Sequence, residues 1–582
     1  MTANELVALL RSGGTLEGQR VESLDLSGRD LRGVNLGGAK LFEVSLRGAQ
    51  LAGASLTNAE LFRCDLTEAD LSGANLDGAV FTMGKLPGAR LVGAHLASVN
   101  LARADLRGAD LSGATITEAV LIEATLEGAR LVGAKLHLVG FGISRLAGAD
   151  FSHSTLEMCA FSRADLTGAS LEEATITACT FTEARLGGAN LRGAVLDRVI
   201  LTRADLRGAV LPKSMHQTIF DEALLGNPAL SGADLRASEL EEMDLSGVDL
   251  SGANLTASSL QGTNLRGANL RGAIFERALL NRCDLRGADL TGARFTLCVL
   301  ADAVLSEVDL AGHDLSMVVL TRANLRGAKL AGARIERSMM DQADLTGADL
   351  TRTYFKRVVL RGAILADAVL DKTIFEGADF AGVDFTRVTF TGLTMTTSAF
   401  NEAALRGKHF ERCDFTGSDF TAADLHAAHF DECDLSMTTF KDAHLELARL
   451  HGLTARGAFF GEARLEGANL SRSMLRFSTF TRADLRRTIL ANCDLRETML
   501  DHISAEGALF IEAKLLYADL SHADVRSADF SGADLSHANL HNLRDGDARF
   551  LGAWLTGARR TDIDRLEAEA WLQPPRPSAQ PQ

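Results

Sequence analysis

Ala104-Asp105-Leu106-Arg107-Gly108-Ala109-Asp110-Leu111-Ser112-Gly113 is one five-residue unit written twice: a small residue, a polar one, a large apolar one, then two residues of turn character. The large apolar residue returns every fifth position from Leu26 to Leu211 without a shift. The phase then slips by one, since Phe220 follows Leu211 by nine residues, and a second run extends to Leu555. In that run only Ala455, Ala505 and Asp545 lack a large apolar side chain. Small, polar, large is the alternation of a strand with one buried face. Three residues bury too little to stand alone, and the pairs between them, often Arg-Gly, Ser-Gly or Thr-Gly, suit turns. Coiling the chain so that successive turns hydrogen-bond to one another gives every unit a wall of a shared core.

Composition agrees with one small unit used many times. At roughly 150 residues per domain, 582 residues would suggest several globular domains. Yet Gly numbers 54, Pro only 7 and aromatics make 5%, and a fixed short period overrides the length prior. The start, Met1-Thr-Ala-Asn-Glu-Leu-Val7, lacks the basic and apolar regions of a secretory signal, and no long apolar run suits a membrane span. The expectation is a soluble, cytoplasmic protein. A net charge of −16 argues against direct nucleic-acid or membrane binding through clustered cations and leaves acidic mimicry open.

The units Ala109-Asp110-Leu111-Ser112-Gly113 and Ala268-Asn269-Leu270-Arg271-Gly272 resemble the motif of the pentapeptide-repeat family, and the resemblance runs from about residue 21 to 558. It implies an all-β fold, a right-handed quadrilateral β-helix with four pentapeptides per coil. Phe380, Phe400, Phe420, Phe440, Phe460 and Phe480, all twenty apart, independently mark a 20-residue coil and predict a stacked interior ladder. Phe390, Phe410 and Phe430 predict a second, and Phe141, Phe161 and Phe181 a third.

The expected organisation is a helical cap at 1–20, with Asn4 as a candidate N-cap of a helix over 3–11, and a first β-helix block at 21–211. A bulge, loop or kink follows at 212–219, then a second block at 220–558, a C-terminal helix or cap at 559–572 carrying Trp571, and a disordered tail at 573–582. The helix at the end is read as a cap or as a dimer contact, the latter being a use the family makes of such helices.

Chemistry-bearing residues fit the repeat better than a site. All eight cysteines, Cys64, Cys159, Cys179, Cys283, Cys298, Cys413, Cys433 and Cys493, fall in the small inward slot and read as buried hydrophobes, not zinc ligands or disulfides. Cys159 with Cys179, and Cys413 with Cys433, lie one coil apart but are poorly aimed for a bridge. His409 and His429 point outward one coil apart, with His426 and His451 near in sequence, and nothing at metal-ligand spacing completes a site. His313 and Lys408 occupy inward slots, which predicts local distortion that lets their polar ends reach water or a carbonyl. Aspartates two residues before arginines, as in Asp105-Leu106-Arg107 and Asp284-Leu285-Arg286, read as a partly paired surface. No catalytic, cofactor-binding or metal-ligating residue is assigned, and no enzymatic activity is expected.

One departure stands out. The outward position is Leu279, Val299, Val319, Met339 and Val359, all twenty apart, where Asp or Asn is the rule; Glu239 and Ser259 precede the series and Asp379 follows it. Leu297 and Met317 would widen it, and the alkyl stems of Arg277, Arg337 and Arg357 are the alternative cover. Contiguous exposed apolar surface marks an interface, so these residues are the candidate interaction stripe, for a protein partner or a second copy in a homodimer. Long members of the family occur beside bacterial secretion machinery, so the resemblance implies a non-enzymatic scaffold linked to secretion or effector loading. Its shorter quinolone-resistance members imply the alternative, a DNA mimic that binds or protects type II topoisomerase.

Overall fold

Why this sequence coils is visible in a single unit. Ala109 and Leu111 are fully buried and Asp110 lies between them on the outside. The Asp110 N–H donates to the Ala89 carbonyl at 2.9 Å, one coil back, and the Leu111 N–H donates to the Arg130 carbonyl at 2.7 Å, one coil on. Each unit is thus stitched to both neighbours. The chain then reverses by a tight turn, in which the Ala114 N–H returns to the Leu111 carbonyl at 3.1 Å and Gly113 takes a left-handed φ of 64°.

The outward aspartate nucleates that turn. Asp110 Oδ1 accepts the Ser112 N–H at 3.0 Å and the Ser112 hydroxyl at 2.5 Å, an Asx turn, and Asp70 with Ser72 repeats the pair of bonds at 3.1 and 2.5 Å. This explains the alternation of Asp or Asn with Ser or Thr two positions on.

The computed structural model describes residues 2–81 and 83–571. The tail expected to be disordered, 573–582, lies outside the described residues. Two compact units are present, Met1–Val304 and Leu305–Gln582, and each is a parallel β-solenoid with four outward columns per coil. The boundary between them lies well past the break expected at 212–219.

In the first unit, strands Arg20–Glu22, Lys40–Phe42 and Glu60–Phe62 pair in parallel with partners twenty residues on. A second sheet of seven strands runs from His95–Ala97 to Ser214–His216 in the same register. Its last pair differs: Val195 faces Ser214, a step of nineteen. Within the segment expected as a bulge, loop or kink, Ser214–His216 and Ile219 therefore stay in the ladder. Ser214 also pairs with Asp234, and Ile219 with both Ile200 and Glu239, so one coil has simply lost a residue and pairing resumes on either side.

Helix α1 (Ala3–Arg11) buries Leu6 and Leu10. Its N-cap is Thr2, not the expected Asn4. Thr2 Oγ1 accepts the Glu5 N–H at 3.4 Å and Glu5 Oε2 accepts the Thr2 N–H at 2.8 Å, a reciprocal capping box that leaves Asn4 inside the first turn.

In the second unit, strands Arg334–Glu336, Tyr354–Lys356, Ile374–Glu376 and Thr394–Thr396 form one sheet, and Phe390–Thr391, His409–Glu411 and His429–Asp431 another. The predicted Phe ladder is present. From Phe380 to Phe480 successive ring centroids lie 5.0, 4.7, 5.3, 4.9 and 4.7 Å apart, and the planes diverge by at most 18°. Phe410 stacks on Phe430 at 4.5 Å, whereas Phe390 tilts by 57° from Phe410. In the first unit Phe141, Phe161 and Phe181 stack at 4.7 Å.

At the far end, helix α2 (Ile563–Ala570) is capped by Asp562, whose Oδ1 accepts the Arg565 N–H at 3.1 Å. Unlike α1 it buries no residue, and Trp571 beyond it is exposed. The last coil is open: Leu551 and Trp554 are exposed, and a cavity of about 400 Å³ is lined by Leu540, Leu543, Phe550 and Leu555.

Candidate interaction face

Each outward column is a ladder of parallel bridges, so the character of a face is set by every twentieth residue. In the first unit one column reads Asp65, Lys85, Asp105, Thr125, Arg145, Asp165, Arg185, Asp205. Its signs alternate, and turn residues add to the pairing. Arg107 grips Asp105 through two bonds of 2.9 and 2.6 Å, and Arg103 donates to Glu123 one coil on at 2.9 Å. The guanidinium two residues on holds the carboxyls of Asp105, Asp234 and Asp284 below the usual carboxylate range, and that of Asp205 at about 2.

The column carrying the stripe is different. In the first unit it begins with the charged Arg20, Lys40 and Glu60 and then runs Val80, Asn100, Val120, Gly140, Ala160, Thr180, Ile200, Ile219, Glu239, Ser259, Leu279, Val299. From Val80 onward Glu239 is the one carboxylate, and burial raises its pKa above the usual range. Leu279 is 37% exposed and bridges Val299, with Leu297 exposed at the adjoining turn. In the second unit Val319, Met339 and Val359 are bridged in one ladder, whose next member is Asp379 and which continues through Ala399 and Asp419. Met339 is 48% exposed, Val319 and Val359 are half-buried, and Met317 is exposed beside them. The structure therefore joins Leu279 to Val299 in one unit and Val319 to Met339 and Val359 in the other. Arg277, Arg337 and Arg357 occupy exposed turn positions with left-handed φ between 52° and 57°.

The earlier members of the column escape a reading by fives. Ile200 and Ile219 are nineteen apart, so the phase slip hides their adjacency; stepping by twenty and subtracting one at the slip recovers it. Nearby, Ile122 and Ile143 are exposed and line a shallow groove of about 390 Å³ with Gly142, Ser162 and Arg163.

The inward polar residues behave as expected. Lys408 is half-buried and its Nζ donates to the Thr386 carbonyl at 2.7 Å. His313 Nδ1 lies 3.2 Å from the Ala311 carbonyl oxygen. All eight cysteines are buried and free. Burial pushes the Cys64 thiol up to about 11 and those of Cys283, Cys298 and Cys493 up to about 12, so they stay protonated. His409 Nε2 sits 2.6 Å from Asp431 Oδ2, and its ring meets His429 edge-on at 6.0 Å. Among the described residues, the one group of three His, Cys, Asp or Glu side chains close enough to share a metal ion lies elsewhere, at His522, His541 and Glu569.

No curated protein matches the chain. Solved structures similar to it include the pentapeptide repeat protein Rfr23 from the cyanobacterium Cyanothece 51142, at 29% identity over 16% of this chain and TM-score 0.14; the chain spans 59% of that protein's length. HetL from Nostoc, involved in heterocyst differentiation regulation, is 24% identical over 52% of this chain and 98% of its own, with TM-score 0.14. QnrB1, a plasmid-mediated fluoroquinolone resistance protein, is 21% identical over 44% of this chain and 96% of its own, with TM-score 0.17. The family model described as "Pentapeptide repeats (8 copies)" matches residues 23–137, 144–211, 229–392, 398–436 and 448–542 in overlapping segments. A five-residue unit stacked at a 20-residue register, and matched by that family along most of its length, makes this chain a member of the pentapeptide-repeat family.

Proposed function

We propose that the protein is a non-enzymatic, cytoplasmic scaffold that binds a protein partner through Leu279 and Val299 of the first unit and Val319, Met339 and Val359 of the second. The observation that carries this reading is the segregation of the faces. In the first unit a column places Leu279 beside Val299, and in the second unit a column places Val319 beside Met339 and Val359, where neighbouring columns are laced with Asp and Arg. An interface core is depleted of charge and surrounded by a polar rim, and this arrangement matches that pattern. The ladder spacing also presents side chains at fixed intervals of about 4.8 Å, which suits an extended or repetitive partner surface. Effector loading or another step of bacterial secretion is the setting that the family resemblance favours.

The test is Val319→Asp with Met339→Asp, which places carboxylates on the outside of an intact core. Proteins captured from extract by the intact chain, and its native mass, are compared with those of the variant. Loss of a captured protein, or of self-association, is the expected result; an unchanged profile would overturn the assignment. The topoisomerase alternative needs a continuous acidic face, and the alternating Asp65-to-Asp205 column weighs against it. Inhibition or protection of gyrase supercoiling by the intact chain would reverse that order.

A further inference from the structure

At the end of the second unit, three side chains from separate parts of the chain converge. His522 and His541 come from neighbouring coils and Glu569 from α2. The Nε2 atoms of His522 and His541 lie 3.0 and 3.2 Å from the same oxygen, Glu569 Oε2. We propose that His522, His541 and Glu569 bind a divalent transition-metal cation of the zinc class and thereby tie α2 to the last coils.

The geometry is close to what such an ion needs. Ligand atoms placed ~2.05 Å from a tetrahedral zinc are about 3.3 Å apart, so these two separations approach a tetrahedron's edges, and all three ligand atoms lie within 4.8 Å of one another. Two imidazoles and one carboxylate suit zinc, cobalt or nickel, whereas calcium and magnesium take oxygen ligands. The His541 side chain is 2% exposed, His522 18% and Glu569 34%, which leaves one side of the cluster open to a water as fourth ligand.

The surroundings orient the carboxylate. Arg565 Nε donates to Glu569 Oε1 at 2.6 Å, one helical turn away. That bond occupies Oε1 and leaves Oε2 for the histidines.

The outer ring nitrogens say what binding must change. His522 Nδ1 lies 2.9 Å from Asn542 Nδ2, and rotating that amide by half a turn offers Oδ1 to an Nδ1–H instead. His541 Nδ1 accepts the Asp562 N–H at 3.1 Å, so without metal its proton sits on Nε2 and points at Glu569. A cation on Nε2 moves that proton to Nδ1, where it meets the Asp562 N–H. Asp562, the N-cap of α2, must then shift. Metal uptake is therefore coupled to the first turn of α2.

The full-length protein is titrated with zinc alone by calorimetry, and cobalt spectra report the coordination. About one equivalent should bind, and Glu569→Gln, which keeps the shape but removes the charge and one acceptor oxygen, should weaken it at least about tenfold. His541→Ala should do the same, while His409→Ala with His429→Ala should bind as the natural chain does. Zinc should also alter amide exchange at residues 562–566 in the natural chain and not in Glu569→Gln. Absence of uptake at about 100 µM zinc, or equal uptake by the natural chain and Glu569→Gln, would overturn the site.

Discussion

At the residue scale, a pentapeptide slot selects by size and by one hydrogen bond. Cys493 Sγ donates to the Leu470 carbonyl at 2.9 Å, Ser338 Oγ to Leu315 at 2.7 Å and Thr353 Oγ1 to Leu330 at 2.7 Å. Cysteine, serine and threonine thus replace alanine in the inward slot without stranding a polar atom. The turn slot is governed by the backbone. Gly113 has φ 64° and open space where a Cβ would be, so Gly113→Ala isolates the left-handed strain itself. It should destabilise the protein by about 1 kcal/mol, read from equilibrium denaturation. Arg103 and Glu123 accept the same φ, at 58° and 57°, and offset part of its cost with an ion pair across coils.

At the element scale, the ladder is the unit of stability. Phe440 stacks on Phe420 at 5.3 Å and on Phe460 at 4.9 Å, fully buried. Phe440→Ala should cost about 3–5 kcal/mol, since flanking coils stitched on both sides cannot collapse into the gap. Phe440→Leu, which keeps most of the volume, should cost roughly 1–3 kcal/mol for two lost stacking contacts. Hydrogen exchange should place the loss at the coils around residue 440, because a solenoid couples mainly to its neighbours. The ladder was legible from Phe residues twenty apart. The cap of α1 was legible too, in the capping-box spacing of Thr2 and Glu5; N-cap preference alone does not separate Thr2 from Asn4, which has Val7 three residues on.

At the scale of the whole molecule, many carboxylates share one perturbation. Asp105, Asp205, Asp234, Asp284, Asp494 and Asp524 all titrate below their unfolded value because an arginine two residues on hydrogen-bonds to the charged form. A depressed folded pKa contributes stability that is present above the unfolded pKa of about 3.9 and is lost as pH falls through the folded value. Thermal stability should therefore hold from neutral pH to about 4 and drop between about 4 and 2. A flat profile across that window would show these pairs to be too solvated to matter.

The sequence alone determined the coil, its period, its interior ladders and the apolar neighbours Leu279–Val299 and Val319–Met339–Val359, because each is a statement about neighbours at a constant step. Tertiary structure alone decided that Ser214–His216 and Ile219 remain paired, since a missing residue can be absorbed by a nineteen-residue coil or expelled as a loop, and the choice depends on whether bonds to both neighbouring coils survive. It also decided where Glu569 lands. α2 lies outside the repeat, so no periodicity relates it to His522 or His541; the convergence arises only when the chain leaves the last coil and turns back against the preceding ones.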